Sequence, residues 1–176
     1  DIGTGADTAF LQIAAEVLGC DEDDIIVKSS DTDVTPFDYG AYASSTTYIS
    51  GMAVKKAAED AKERILDWGA KLLEEPVDVL ETGDGTVYSE RSGNSVTLED
   101  IGYEAAYGDD EREHILGKGT HCTEESPPPF AAQFADVTVD ETTGEFEVHK
   151  LVVAVDCGVA INPGMAEGQI EGANHM

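Results

Sequence analysis

The stretch FAAQFADVTVDETTGEFEVHKLVVAVD, residues 130–156, decides the fold class of this chain. Apolar and polar side chains alternate up to Asp140, which is typical of a strand with one buried face. The polar segment Glu141–Gly144 predicts a turn, and residues 145–156 predict a returning strand. Within that strand Leu151–Val155 is apolar on both faces, which is typical of a central strand. The sequence therefore predicts an antiparallel hairpin.

Apolar periodicity predicts two helices in the first half of the chain. Thr8–Leu18 carries one broad apolar stripe and is followed by Gly19, a residue that ends helices. A longer helix begins near Ser44, carries alanines on its apolar stripe, and ends before Pro76. Small residues on a buried stripe allow a helix to lie close against a sheet or another helix, so we expect close packing here.

Shorter patterns complete the prediction. They indicate a strand at Ile25–Val27, a loop at Ser29–Ser45, a hairpin at Val79–Tyr88 turning at Thr82–Gly85, a helix from Val96 capped by Ser95, a strand at His114–Cys122, an extended spacer at Ser126–Pro129, a turn at Ile161–Gly164 and a helix from Glu167. Helices and antiparallel hairpins without strict alternation predict an α+β fold, with helices packed on a mixed or antiparallel sheet.

Charge is the strongest bulk feature. Thirty-seven acidic and ten basic residues give a net charge of −27, which makes nucleic acid and anionic membranes poor partners. Disorder is disfavoured because the acids are interleaved with periodic apolar positions. A calcium site is disfavoured because the acidic runs at 21–24 and 31–33 lack the sharp glycine turn of such loops. A salt-adapted surface is the interpretation that remains.

No stretch of the sequence has the pattern of a membrane span, and we expect no signal peptide because acidic residues stand where a basic segment would begin one. Its three cysteines, without a C-x-x-C pair, argue against a disulfide framework and against a complete iron–sulfur or zinc site, and they suit a reducing cytoplasm. Adjacent His121 and Cys122 would point to opposite faces of a strand, so no metal ligands are predicted. Asp1 and Met176 suggest a fragment of a longer polypeptide.

Three segments of small residues are candidate ligand sites. Gly3-Thr4-Gly5 precedes a helix, where free N–H groups and glycine would accept an anion or simply form a tight turn. The loop that contains Tyr42-Ala43-Ser44 also runs into a helix, and there a serine cap is the simpler interpretation. In Gly168–Ala173, Gln169 offers an amide that either binds a heterocycle or lies on the surface.

Taken in order, these segments resemble the molybdenum-cofactor-binding large subunit of the xanthine dehydrogenase and aldehyde oxidase family, and within it the 4-hydroxybenzoyl-CoA reductase branch. The residues that carry the resemblance are 1–5 with Thr8, 12–19, 31–47 continuing to Gly51 and Ala53, 130–137, 155–158 with 161–163, and 168–173. The likeness covers nearly the whole chain, and residues 74–129 are the least distinctive part.

The resemblance implies a fragment of a molybdopterin-binding domain, residues 1–176. It divides into a helix-rich lobe at 1–74 with two cofactor loops, a variable segment at 75–129, and a hairpin with a third cofactor loop at 130–176. The implied cofactor-binding residues are Gly3, Thr4, Gly5, Tyr42, Ala43, Ser44, Gln169, Glu171 and Gly172. Thr4 stands where many relatives have Gln, and Ser45 where this branch often has Arg.

The implied cofactor is molybdopterin with molybdenum, in some members extended to the cytosine dinucleotide, with 2Fe-2S and FAD on partner subunits or domains of an oligomer. The dithiolene of the pterin supplies sulfur to the metal, so no protein ligand cluster is required.

The implied activity is hydroxylation of an aromatic, heteroaromatic or aldehyde substrate, or reductive dehydroxylation of an aryl-CoA. The catalytic base is expected outside the chain, so the fragment alone is expected to be inactive. The alternative is a non-catalytic acidic binding or interaction domain that kept the fold.

Salt adaptation predicts that the unfolding temperature rises steeply with molar KCl. The charge of −27 repels itself, and counterions screen that repulsion more strongly as the salt concentration increases. Differential scanning calorimetry across a KCl series measures the effect, and a flat or falling curve would refute salt adaptation.

Overall fold

The computed structural model describes residues 2–109, 112–125 and 127–175. The chain forms two compact units, residues 1–123 and 124–176, and both combine helix with antiparallel strands, so the predicted α+β class is confirmed. Among the described residues, no helix combines the length and the apolar character that crossing a membrane requires.

The described residues of the first unit form three helices and one small sheet. In chain order its elements are α1 (Ala6–Leu18), α2 (Thr46–Leu73), β1 (Leu80–Gly83), β2 (Thr86–Ser89), β3 (Ser95–Thr97) and α3 (Leu98–Tyr107). The strands are antiparallel in the order β1-β2-β3, and β1 and β2 form the predicted hairpin. Single 3₁₀ turns occur at Glu22–Asp24 and Val77–Val79.

The core of the first unit lies between the C-terminal half of α2, the sheet and α3. Its buried side chains are Trp68, Leu80, Val87, Ile101 and Ala105. Val87 is fully buried, at 0% exposure, and Ile101 is 1% exposed. Burial of a Val or Ile side chain contributes about 1.5–3 kcal/mol to the free energy of unfolding. These contacts therefore hold the less distinctive middle of the chain against the second predicted helix.

Glycines on α2 allow its neighbours to approach closely, as the small-residue stripe predicts. A methyl group added at Gly51 would lie 3.0 Å from Cδ1 of Ile13 in α1, and one added at Gly69 would lie 2.7 Å from Cγ1 of Val87. Both glycines are buried inside the helix. Gly69 therefore serves packing against the sheet.

Residues 112–123 form an extended strap along α2. The backbone of Gly117 and Gly119 lies so close to the helix that a methyl group at either position would overlap Ala57. The Lys118 amide donates to Oδ2 of Asp60 at 2.8 Å. The predicted strand at His114–Cys122 is wrong, because this segment packs its backbone on a helix and pairs with no described strand.

In the second unit the residues that the structure describes form the predicted hairpin and one helix. Strands β4 (Phe130–Val139) and β5 (Phe146–Asp156) are antiparallel, with a bulge between Asp136 and Val137. Helix α4 spans Pro163–Ala173. Phe130 and Phe134 are each 68% exposed, so the hairpin faces bury little apolar surface within this unit.

Several predicted boundaries require correction. Ile25–Val27 forms no strand, and Ile26 is 83% exposed with no strand to pair with among the described residues. Helix α3 begins at Leu98 with Thr97 as its cap, because the Thr97 hydroxyl accepts from the Asp100 amide at 3.0 Å and Ser95 belongs to β3. Of the predicted spacer Ser126–Pro129, Ser126 lies outside the described residues.

Helix α4 also differs from its prediction. It begins at Pro163, because the Asn162 side chain accepts from the Met165 amide at 3.1 Å and proline fits the first helical position. The predicted turn at Ile161–Gly164 and the predicted helix start at Glu167 are therefore wrong at this boundary.

Substituting Gly69→Ala is expected to destabilise the protein by about 1–3 kcal/mol, because the added methyl overlaps a buried, stiff valine. Gly102→Ala in α3 is the matched control, since a methyl there meets nothing within 4 Å and helix propensity favours alanine by about 1 kcal/mol. Chemical denaturation of both variants measures the difference, and equal effects would contradict the close packing of α2.

Candidate functional site

The first predicted segment is an open glycine turn before α1. Gly3 and Gly5 have φ of +91° and +80°, a region that favours glycine. Gly5 occupies the N-cap position without a side-chain cap, so N–H groups of the first turn are available to a ligand. A methyl group added at Gly3 would meet nothing within 4 Å, which leaves the backbone of this turn open to close approach.

Asp7, in the first turn of α1, was not identified from the sequence. Its Oδ2 accepts a hydrogen bond from the Ser29 hydroxyl at 2.8 Å, while its Oδ1 is buried and has no hydrogen-bond partner among the described residues. Leaving a buried acceptor unsatisfied costs about 1–3 kcal/mol. The signal that could have revealed it is an acidic residue in a helix first turn directly after a glycine pair.

The second predicted segment is a strained turn before α2. Ala43 and Ser44 have φ of 51° and 54°, the left-handed region that non-glycine residues seldom adopt. The turn is closed by Ser45, whose amide and hydroxyl donate to the Tyr42 carbonyl at 3.1 and 2.7 Å. Ser45 therefore occupies the cap position without capping the helix with its hydroxyl, and Tyr42 remains exposed.

Asp38 anchors this turn to α2. Its Oδ2 accepts from the Ser50 hydroxyl at 2.7 Å, and its Oδ1 accepts from the Gly40 amide at 2.6 Å. The Ser50 hydrogen bond, followed by that of Gly40, holds the pKa of the Asp38 carboxyl below its usual range because both favour the charged form. The loop that carries Tyr42 is thus tied to the helix that follows it.

Contacts of α1 and α2 place the two turns at the same end of this helix pair. Ile13 of α1 lies against Gly51 of α2. From that contact α1 runs on to Gly19, which abuts the β1–β2 turn, and α2 runs on to Gly69, which abuts β2. Both helices therefore run toward the sheet, and the turns that precede them lie at the end away from it.

The third predicted segment lies in the second unit and is helical, as the helix predicted from Glu167 requires, and it does not form the third cofactor loop that the resemblance implies. Gln169, Glu171 and Gly172 all belong to α4 and are exposed. Residues three apart share a helix face and residues two apart do not, so Gln169 and Gly172 lie together while Glu171 faces elsewhere. Asn174, just after α4, accepts from the Gln133 amide at 2.8 Å, which holds the helix to β4.

The predicted site residues therefore divide between the two units, with positions 3–5 and 42–44 in the first and positions 169–172 in the second. Within the described part of the chain, no group of three or more His, Cys, Asp or Glu side chains is placed to hold a metal ion. Cys20, Cys122 and Cys157 are free thiols.

Comparison with known families gives one match over the whole length. Residues 1–176 match the model of the molybdopterin cofactor-binding domain. The chain is 42% identical over 173 residues to a probable hypoxanthine oxidase of Escherichia coli, covering 98% of this chain and 18% of that protein. It is 34% identical over 179 residues to a putative xanthine dehydrogenase molybdenum-binding subunit of the same organism, covering 100% of this chain and 24% of that protein.

Solved structures agree with the sequence relatives. The chain superposes on quinoline 2-oxidoreductase from Pseudomonas putida with a TM-score of 0.87 at 26% identity, covering 98% of this chain and 22% of that one. It superposes on CO dehydrogenase from Oligotropha carboxidovorans with a TM-score of 0.89 at 26% identity over the same shares. The chain thus spans about a fifth of the length of the proteins it matches.

Substituting Ser50→Ala is expected to raise the pKa of the Asp38 carboxyl toward its usual range, because the first of its two hydrogen bonds is lost. A carboxyl whose pKa is lower in the folded than in the unfolded state stabilises the folded protein at pH values above the unfolded-state pKa. That stabilisation is lost as the pH falls through the folded-state pKa. The stability difference between wild type and Ser50→Ala should therefore shrink as the solution is acidified.

Carboxyl NMR titration and thermal unfolding between neutral pH and strong acid measure both effects. Thr47→Ala is the control, an exposed hydroxyl in the first turn of α2 without a described bond to Asp38. An Asp38 pKa that is the same with and without the Ser50 hydroxyl would contradict the conclusion that the Ser50 hydrogen bond lowers this pKa.

Proposed function

Because the chain belongs to the family of molybdopterin cofactor-binding domains, we propose that it is a molybdopterin-binding part of the large subunit of a molybdenum hydroxylase. Its proposed cofactor-binding residues lie in the two helix-preceding turns of the first unit and, separately, in helix α4 of the second. The observation that carries the proposal is the positive-φ glycine turn at Gly3–Gly5, which leads into the N-terminus of α1 without a side-chain cap and has open space beside Gly3. The substrate, the partners and the activity of the whole protein belong to this proposal.

The described residues fit such a group. A pterin ring needs hydrogen-bond donors and acceptors, and a phosphate favours the N–H groups of a helix start. The first turn of α1, which Gly5 leaves without a side-chain cap, offers backbone N–H groups. The buried Oδ1 of Asp7 in the same turn is an acceptor without a described partner. Since the pterin brings its own sulfur ligands for the metal, the donor set does not need a cysteine cluster.

Each predicted residue then has a defined role. Gly3 and Gly5 allow close approach of the ligand to the backbone, while the Thr4 hydroxyl offers a shorter donor than the Gln found in many relatives. The turn Tyr42–Ser44 presents an exposed phenol and a hydroxyl at the same end of the α1–α2 pair. Gln169 offers its amide from α4, with Gly172 leaving space on the same face.

Glu171 is kept apart from the chemistry. It lies on a different face of α4 from Gln169, so we give it no contact through that face and do not assign it the role of a base. Bound molybdopterin supplies a molybdenum centre for two-electron exchange with the substrate. The base that takes the proton is expected outside these residues, in agreement with an inactive fragment.

For the substrate we propose a nitrogen heteroaromatic. Support comes from the names of two relatives, a probable hypoxanthine oxidase and a quinoline 2-oxidoreductase. Hydroxylation inserts oxygen from water at a ring carbon and releases two electrons, which iron–sulfur and flavin partners would accept. Aldehyde substrates, aryl-CoA dehydroxylation, the 4-hydroxybenzoyl-CoA reductase branch, the cytosine dinucleotide form, the oligomer and a cytoplasmic location stay predictions of the sequence.

The alternative, a non-catalytic acidic domain, differs in one measurable respect. Elemental and pterin analysis of the full-length native protein is expected to give one molybdenum and one pterin per polypeptide. A well-folded native preparation without either would favour the non-catalytic domain and refute the proposal.

Substituting Gly3→Ala tests the first turn. A side chain in the left-handed region costs about 1–2 kcal/mol, so we expect cofactor retention to weaken about fivefold to thirtyfold. Gly85→Ala is the matched control, because Gly85 also has positive φ and open space but lies in the β1–β2 turn. Equal pterin content in the two variants, with both folded, would refute the assignment of this turn.

A further inference from the structure

A basic cleft lies beside the C-terminal half of α2 in the first unit. It has a volume of about 690 Å³, and its lining includes Arg64, Lys71 and Arg112 together with Trp68 and Val77. These three cations belong to the only ten basic residues of a chain that carries 37 acidic ones. With the acids Asp67 and Glu113 the lining has three positive and two negative groups, a net charge of +1 on a chain whose net charge is −27.

The cleft has an ordered floor. The buried Trp68 indole donates to Oε1 of Glu113 at 2.7 Å, and the ammonium of Lys71 lies 4.3 Å from the centre of the Trp68 ring. Arg112 is held by its Nε, which donates to the Gly108 carbonyl at 3.0 Å. This bond orients the guanidinium group and does not use its terminal nitrogens, which can still donate hydrogen bonds.

The two arginines lack anionic partners. Neither Arg64 nor Arg112 forms an ion pair with a carboxylate among the described residues. Two carboxylates, Asp67 and Glu113, also line the cleft, and one oxygen of Glu113 accepts from the indole. Guanidinium groups match carboxylates with paired hydrogen bonds, so the cleft is suited to a few carboxylates.

We propose that this cleft docks a carboxylate-bearing segment of a partner polypeptide. Charge complementarity supports the choice, and Arg and Trp are the side chains enriched at the centres of interfaces. Three relatives of the chain are named as subunits of larger proteins. Nucleic acid does not fit, because the acidic surface around the cleft repels a polyanion. The docking does not depend on the cofactor.

Zero-length carbodiimide coupling of the purified native complex tests the docking directly. The reagent joins Lys71 to a carboxylate in contact with it, and mass spectrometry identifies the joined peptides. A cross-link from Lys71 to an acidic residue of a second polypeptide is expected. Cross-links only to the same polypeptide, no cross-link, or a native preparation without a second polypeptide would each overturn the proposal.

Charge reversal gives the energetic test on the same full-length complex. Arg64→Glu with Arg112→Glu is expected to weaken partner binding about tenfold or more and to reduce its dependence on salt concentration. Arg64→Gln with Arg112→Gln should act in the same direction and avoids introducing new acids. The matched control is Arg91→Glu, in the β2–β3 turn outside the cleft.

Circular dichroism and pterin content confirm that each variant is folded and loaded, which separates loss of docking from failure of the proposed function. Unchanged partner binding in both double variants would overturn the proposal. An equal loss in the Arg91→Glu control would also overturn it, since the effect would then be one of net charge alone.

Discussion

Helix α2 is the element on which the other parts of the first unit depend, because it admits its neighbours at distances that leave no room for a methyl group. Gly51 receives Ile13 of α1, Gly69 receives the buried Val87 of β2, and the strap residue Gly117 lies against the alanine stripe. Interiors packed this closely do not deform continuously. The position of α1, and with it the open turn before α1, therefore follows from small residues on α2.

Acidic side chains shape the loops in addition to charging the surface. Several loop carboxylates accept a backbone N–H two residues ahead, a local bond that fixes a turn. They are Asp21, Asp31, Asp38, Asp140 and Asp156. Backbone bonds also hold the pKa of Asp140 below its usual range. Part of the acidic excess thus has a structural use that does not depend on salt.

Local sequence patterns predicted the secondary structure correctly wherever the stabilising contacts join residues that are near in sequence. Both long helices and both hairpins follow from periodicity and turn residues, and the hairpin at 130–156 was predicted within a residue or two. The failures were strands without a partner, at Ile25–Val27 and His114–Cys122. A strand needs a neighbouring strand for its backbone hydrogen bonds, and neither segment's own sequence reveals that the neighbour is solvent or a helix.

The sequence by itself determined the family, the α+β class and the segments that form the candidate site, because ordered motifs and local periodicity lie within a few residues of each other. Tertiary structure alone decided that the turns before α1 and α2 share one end of a helix pair, that Ser29 engages Asp7, and that α4 begins at Pro163. It also gathered Arg64 and Arg112 into one cleft. These arrangements join residues far apart in the chain, and their positions are fixed by packing against α2 and by capping at Asn162.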